Sequence, residues 1–322
     1  MREGKSIQMR GLRQAAFALG CVGIAAAQQG NVGGPTSGLV FDQVAGVLRP
    51  VLGVPGGATL GDGLALGYPV NWVAVAPSLD SAVALGQDGS LHFVRLSGNI
   101  VSELQVAGAS STPRGVVYSP SGTAAALVYA SQAQVVTGFP DAPVMGKVLP
   151  LESAVNTHVR TAVRPAIGNL ALSDDGAVLL EANGGSIHVA GSHGRSVLTA
   201  GSMAAFAPSG HDAVIAKASG VTLIRDVDGA DGATVLADSG VDEPVGLAFS
   251  ADGATVFAAG ANGIVALSVG GGPATPVACA CTPAGLVAMG RLFRLNDLGE
   301  GPLWVLDPGN ASPRTAFVPG LR

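Results

Sequence analysis

The sequence predicts an all-β fold, a β-propeller of four-stranded antiparallel blades, and three observations carry that prediction. Short apolar strands alternate with turns of Pro, Asp, Ser and Gly along most of the 322 residues. One strand-turn motif returns about every 43 residues, the length of a propeller blade. No stretch carries the 3.6-residue apolar period of an amphipathic helix.

Composition removes several other classes. Hydrophobic residues make up 48% and charged residues 12% of the chain, so enough apolar surface exists to offset the entropy of ordering, and disorder is excluded. The 48 glycines follow no three-residue period, which excludes collagen. The longest uncharged apolar run, residues 15–27, is shorter than the roughly 20 residues that cross a bilayer, so the chain is not membrane-spanning by helices.

That apolar run has another reading. Arg10 and Arg13 precede it and Ala25-Ala26-Ala27 ends it, the pattern of a secretory signal cleaved before Gln28. Residues 1–27 are therefore expected to be a signal peptide, 28–37 a flexible lead and 38–322 the propeller domain, in a secreted or periplasmic protein. The rival reading is a lipid anchor on Cys21, in the box Ala18-Leu19-Gly20-Cys21. Without residues 1–27 the chain keeps 13 basic and 21 acidic residues, a net charge of −8. No basic stripe remains, which excludes nucleic acid as a partner.

The repeat shows clearly in Val116-Val117-Tyr118-Ser119-Pro120-Ser121-Gly122, Leu170-Ala171-Leu172-Ser173-Asp174-Asp175-Gly176 and Leu247-Ala248-Phe249-Ser250-Ala251-Asp252-Gly253. Weaker copies centre on Ala74, Ala205 and Val287. Each copy is an apolar strand followed by a turn, and a third strand follows later, as in Ser90-Leu91-His92-Phe93-Val94 or Ser186-Ile187-His188-Val189. Strands apolar on both faces, such as Leu247-Ala248-Phe249, suit inner positions between neighbouring sheets.

The phrase running from Gly246 to Gly253 resembles the strand-turn signature of WD-repeat-like and YVTN-type bacterial β-propellers. That resemblance implies a fold over nearly all of residues 38–320 and no activity. No Trp-Asp dipeptide closes a blade, so the hydrogen-bond network of true WD repeats is not carried over.

Both ends of the domain look like outer hairpins. Leu39-Val40-Phe41-Asp42 resembles Leu303-Trp304-Val305-Leu306-Asp307, which leads to an expectation that the N-terminal hairpin joins C-terminal strands in one shared blade. Residues 38–320 divided by seven give blades of about 40 residues, so seven blades are favoured over six.

Chemistry is sparser. Asp226, Asp228 and Asp231 crowd one Gly-rich loop, where they read either as Ca²⁺ ligands or as a hydrated hairpin tip. Cys279 and Cys281 are a candidate disulfide, which needs a bend because alternate residues of a straight strand lie at the edge of disulfide reach. His92 and His188 share one position in two repeats, which points to a structural slot, and no catalytic motif or phosphate loop occurs. The loops entering the inner strands carry Asn71, Trp72, Arg114, Arg164, Asp242 and Glu243, the candidate ligand-binding residues at the mouth of a central channel. The expected function is a secreted, non-enzymatic binding scaffold that uses one face of the ring for an extracellular or periplasmic protein or small ligand. The alternative is a lactonase- or lyase-like enzyme with its site in the channel, since fold alone does not exclude one. No cofactor is expected beyond the candidate Ca²⁺.

Overall fold

The computed structural model describes residues 34–98, 100–109, 112–152, 169–229, 232–237, 241–299, 301–309 and 312–320. The expected signal peptide at 1–27 lies outside them. The described chain forms seven antiparallel sheets and no helix, so the all-β propeller and its seven blades stand.

Blade 1 has three strands, β1 (Thr36–Asp42), β2 (Val47–Leu52) and β3 (Thr59–Leu60). Blade 2 holds β4 (Val70–Val75), β5 (Ser81–Gly86), β6 (Leu91–Ser97) and β7 (Ile100–Leu104). Blade 3 holds β8 (Gly115–Tyr118), β9 (Ala124–Val128), β10 (Gln132–Thr137) and β11 (Val144–Pro150). Blade 4 holds β12 (Leu170–Leu172), β13 (Leu179–Asn183), β14 (Ser186–Gly191) and β15 (Gly194–Ala200). Blade 5 holds β16 (Met203–Phe206), β17 (Ala213–Lys217), β18 (Gly220–Ile224) and β19 (Ala233–Ala237). Blade 6 holds β20 (Gly246–Phe249), β21 (Thr255–Gly260), β22 (Gly263–Ser268) and β23 (Thr275–Val277). Blade 7 holds β24 (Val287–Met289), β25 (Leu292–Arg294), β26 (Leu303–Asp307) and β27 (Arg314–Val318). In blades 2 to 7 the strands pair in chain order, each meandering outward from a first strand.

The core is seven cores. Buried apolar side chains fall into seven clusters, each shared by two neighbouring blades. Alternation within a strand explains this: Val256 packs toward blade 5 and Phe257 toward blade 7. A strand between two blades must be apolar on both faces, and in β5 and β9 every residue is buried. Alanine dominates there because sheets that converge on an axis leave little room for larger side chains.

The six copies of the sequence motif are the first strands of blades 2 to 7, and the turn chemistry is now explicit. The hydroxyls of Ser119, Ser173 and Ser250 accept hydrogen bonds from the amides of Ala124, Val178 and Thr255 at 3.2, 2.9 and 2.9 Å. Ser173 and Ser250 also donate to Asp175 and Asp252 at 2.6 Å. The fourth residue, Gly122, Gly176 or Gly253, has φ of 82°, 67° or 70°, which a side chain resists. The recurring strand-turn motif is therefore the chemistry of one turn. We call the face on which these turns lie the lower face. Across it Asp174 accepts from the amide and hydroxyl of Ser121 in blade 3 and from the amide of Ser209 in blade 5, so one carboxylate fastens three blades.

Two expectations need correction. The N-terminal hairpin does not complete a C-terminal blade: β24 to β27 already form four strands, and β1 and β2 take β3 as their third. The outer positions of blade 7 are filled by β26 and β27, paired from Leu303↔Val318 to Asp307↔Arg314, so the blade has its four strands without the hairpin. Closure is instead by side-chain packing of Val40, Val51 and Ala58 against Met289, Leu292 and Val305. The ordered domain also starts before residue 38, because Thr36 pairs with Leu52 and the Pro35 carbonyl accepts from the Gly53 amide.

Ser173→Ala leaves the buried Val178 amide without its acceptor and should lower unfolding free energy by about 1–3 kcal/mol in urea titrations. Ser78→Ala, at an exposed turn hydroxyl, should change it by less than about 0.5 kcal/mol.

Acid should unfold the ring partly through Asp42. Burial works to raise its pKa, but Arg49 at 2.7 Å and the amides of Ala45 and Val44 outweigh burial and hold the carboxyl below its usual value. The folded state thus binds this proton less readily than the unfolded chain. The stabilisation is whole above the unfolded value of about 4 and disappears as pH falls through the folded one. Below about pH 4, stability should fall less steeply with pH in Asp42→Asn than in the parent, as read from thermal melts at a series of pH values.

Candidate ligand site in the central channel

The first strands of blades 2 to 7, with β1, surround an axial cavity of about 530 Å³. Its wall follows from the core pattern, since the strands that reach the axis are the most apolar ones. Leu39, Phe41, Val75, Met203, Leu247 and Val287 line it, with serines and prolines of the lower turns at one end. Charged side chains among the described lining residues are confined to Arg291, Arg294 and Asp297. Arg294 pairs with Asp297 at 3.1 Å near the upper end of β24, and Arg291 is exposed in the lower turn. No histidine, cysteine or glutamate is among the described lining residues. Such a wall accepts an apolar guest and offers it hydrogen bonds mainly from main chain and a few hydroxyls.

The residues singled out in the inner-strand loops sit around this channel without lining it. Trp72 is 2% exposed and packs between blades 2 and 3. Asn71 donates from Nδ2 to the Gly86 carbonyl at 3.2 Å, a bond inside its own blade. Arg114 is exposed, and its amide donates to the Val128 carbonyl. Asp242 is exposed and accepts from Asn262 Nδ2, and exposed Glu243 has a left-handed backbone with φ of 45°. Arg164 lies outside the described residues. At the upper end, beside the paired Arg294 and Asp297, the cavity is reached by Val245, Ala284 and Gly285, small apolar residues that no polarity-based search would select.

The aspartate loop is divided between two partners. Asp228 accepts from the Ser192 hydroxyl and amide of blade 4, and those hydrogen bonds hold its carboxyl below the usual range. Asp226 lies 3.6 Å from His211, which also meets Asp175 at 3.0 Å. Asp231 is outside the described residues. Among the described residues, no group of three or more His, Cys, Asp or Glu side chains is placed to hold a metal ion. Cys279 and Cys281 are bonded through their sulfurs in the loop before blade 7, with Cα atoms 5.1 Å apart, closer than in a straight strand.

His92 and His188 do share a slot: each sits on the third strand of its blade and meets a glutamate at 2.8 Å, Glu103 and Glu152 respectively. Around His188 the slot is an ion cluster with a buried side, because Arg195 bridges the exposed Glu152 and the 3% exposed Glu181. Around His92 it mimics a nucleophilic triad, with Ser90 Oγ 2.6 Å from Nε2 and Glu103 Oε1 2.8 Å from Nδ1. A fourth group changes that chemistry. Asp88 Oδ1 lies 2.5 Å from the same hydroxyl, and the hydrogen bonds from the Ser90 hydroxyl and amide hold Asp88 below the usual carboxylate range. The hydroxyl has one proton, and the Asp88 carboxylate competes with His92 Nε2 for it. The site differs from a triad in that fourth group, and the chain of bonds ties the β5–β6 loop to β7. Tyr68 covers the imidazole, ring centroids 3.8 Å apart, with its hydroxyl pushed up to about 12 by burial and then by Glu103. The sequence signal was Ser90-x-His92, two residues on one face of a strand, but the partners Asp88 and Glu103 come from a loop and another strand.

No helix among the described residues is long and apolar enough to cross a membrane. No protein-family model matches the chain, and no curated protein does. Solved structures do share its shape. A functionally unknown protein from Desulfotomaculum acetoxidans DSM 771 superposes with a TM-score of 0.54 at 13% identity, covering 89% of this chain and 100% of that one. Kuenenia stuttgartiensis hydrazine synthase matches with a TM-score of 0.49 at 13% identity, covering 84% and 95%, and U3-55K with 0.46 at 11%, covering 78% and 81%. At such identities the likeness is one of fold, and it rests on the first of the three.

Proposed function

We propose that this protein is an exported, non-enzymatic β-propeller that binds an apolar ligand in its central channel. The observation that supports this reading is the lining: a cavity of about 530 Å³ with three charged side chains, two of them paired with each other. A lactonase- or lyase-like reading calls for acids, histidines or a metal converging on the axis, and the described lining offers Asp297 alone, engaged by Arg294. The Ser90 network does not support that alternative either, since the Asp88 carboxylate competes with His92 for the one hydroxyl proton. Export is supported by the signal-like residues 1–27 and by a disulfide between the two cysteines of the remaining chain, a pairing that oxidising compartments favour.

The neutral fluorophore N-phenyl-1-naphthylamine should bind the folded protein with one site per chain. Met203→Trp, at a partly exposed lining position, should weaken it by about tenfold or more while the protein stays folded. Equal affinity in the two proteins would place the probe elsewhere and end the channel reading. Intact-mass measurement of material recovered outside the cytoplasm should give a chain that starts at Gln28. A diacylglyceryl group on Cys21 would replace export in free form with a lipid-anchored one.

A further inference from the structure

β1 runs the wrong way for an innermost strand. A Cβ on Gly38 would sit 2.5 Å from the Met289 side chain, and one on Gly290 would sit 3.3 Å from the Ser37 carbonyl oxygen. Met289 is the last residue of β24, and the Gly290 amide donates to the carbonyl of Pro77, just past the end of β4, at 2.8 Å. The start of β1 therefore lies where β4 and β24 end, and β1 is antiparallel to both. That is the direction of a second strand. In blade 2 the second strand β5 is paired on its inner side by β4, from Trp72↔Leu85 to Val75↔Ala82, whereas β1 has β2 on one side and the cavity on the other.

The main chain of β1 carries the mark of the missing neighbour. Leu39 faces Pro50 and Phe41 faces Leu48 across the β1–β2 ladder. The Pro50 carbonyl accepts from Gly61, and the Leu48 amide and carbonyl exchange bonds with Leu64, so both residues of β2 turn their polar groups toward the β3 side. In an antiparallel ladder their opposite numbers must point theirs away from β2. The amides and carbonyls of Leu39 and Phe41 thus face the cavity, and among the described residues they have no partner. Both residues are buried, 7% and 8% exposed, where backbone groups are paired in nearly all proteins. The first strands of blades 2 to 7 also turn an edge to the channel, but each already occupies the innermost position of its blade.

We propose that blade 1 is completed by an extended peptide from a partner, which lies antiparallel to β1 along its inner edge as a first strand. The proposal rests on the channel reading and names its ligand. Donors and acceptors that alternate every second residue are matched by another main chain and by no small apolar molecule. The peptide enters from the upper face, because below the slot the Gly290–Pro77 bond and the Leu79 side chain join blades 7 and 2. Its side chains are apolar like those of resident first strands such as Leu247-Ala248-Phe249, since its neighbours are Leu39, Phe41 and Met289.

A synthetic peptide with the sequence of residues 246–253, a resident first strand, serves as the probe against the full mature protein in titration calorimetry. The expected result is one site per chain with a period of two: N-methylation at alternate residues weakens binding by about tenfold or more, and at the intervening residues by less than about twofold. Leu39→Pro removes an inward amide without a bond to β2 and should abolish peptide binding while the naphthylamine probe still enters. Binding without the two-residue alternation overturns strand addition. So does absence of peptide binding with the naphthylamine still bound, the outcome expected if the chain's own N-terminal residues fill the slot. Loss of both ligands overturns the channel reading as well.

Discussion

Side-chain packing between facing sheets is the interaction on which everything else in this ring depends. A blade has no core of its own, and each apolar cluster belongs to two blades. Every strand that reaches the interior must therefore be apolar on both faces, which is why nearly half of the residues are hydrophobic. Convergence on the axis adds a second demand, that the inner strands be thin, and alanine meets it at Ala82, Ala84, Ala124, Ala126, Ala213 and Ala258, all fully buried. The same demand produces the channel, because small residues that let sheets converge do not fill the axis.

With the interior given over to apolar contact, the few charges are spent at the joints. Asp174 ties blades 3, 4 and 5, Asp228 ties blade 5 to blade 4, and Arg195 holds Glu152 against Glu181 between blades 3 and 4. Carboxylates do this well because one group accepts several hydrogen bonds from short serine hydroxyls and from amides. An aspartate cluster in such a chain is as much a fastener as a ligand set, and Asp226 and Asp228 show how two neighbours in sequence come to serve different partners.

The first strands of blades 2 to 7 were legible because the signal is local, a short apolar strand followed by a turn, and in blades 4 and 6 Ser-x-Asp-Gly makes that turn within one hydrogen-bonded loop. The closure of the ring was not, because Leu39-Val40-Phe41-Asp42 and Leu303-Trp304-Val305-Leu306-Asp307 have the same local pattern, while β1 is placed by contact with Met289 far along the chain and β26 by pairing with the next strand, β27. Trp72 misled for a similar reason, since an aromatic residue at a loop boundary looks the same in sequence whether it turns to the channel or into the next blade. Most of the channel wall was invisible to a search for polar residues, being built mainly of Val, Leu, Ala, Met and Phe.

The seam between blades 7 and 1 has a mechanical consequence. The two ends of the described domain lie in different sheets, and among the described residues no ladder of hydrogen bonds joins those sheets. Tension applied through the termini would load a zipper of side chains such as Val40, Ala58, Met289 and Val305, whose contacts give way in succession, while a shared blade would have to shear a row of main-chain bonds together. The ring is in that sense a split washer, stiff against compression toward its axis and compliant to being pried open at one place.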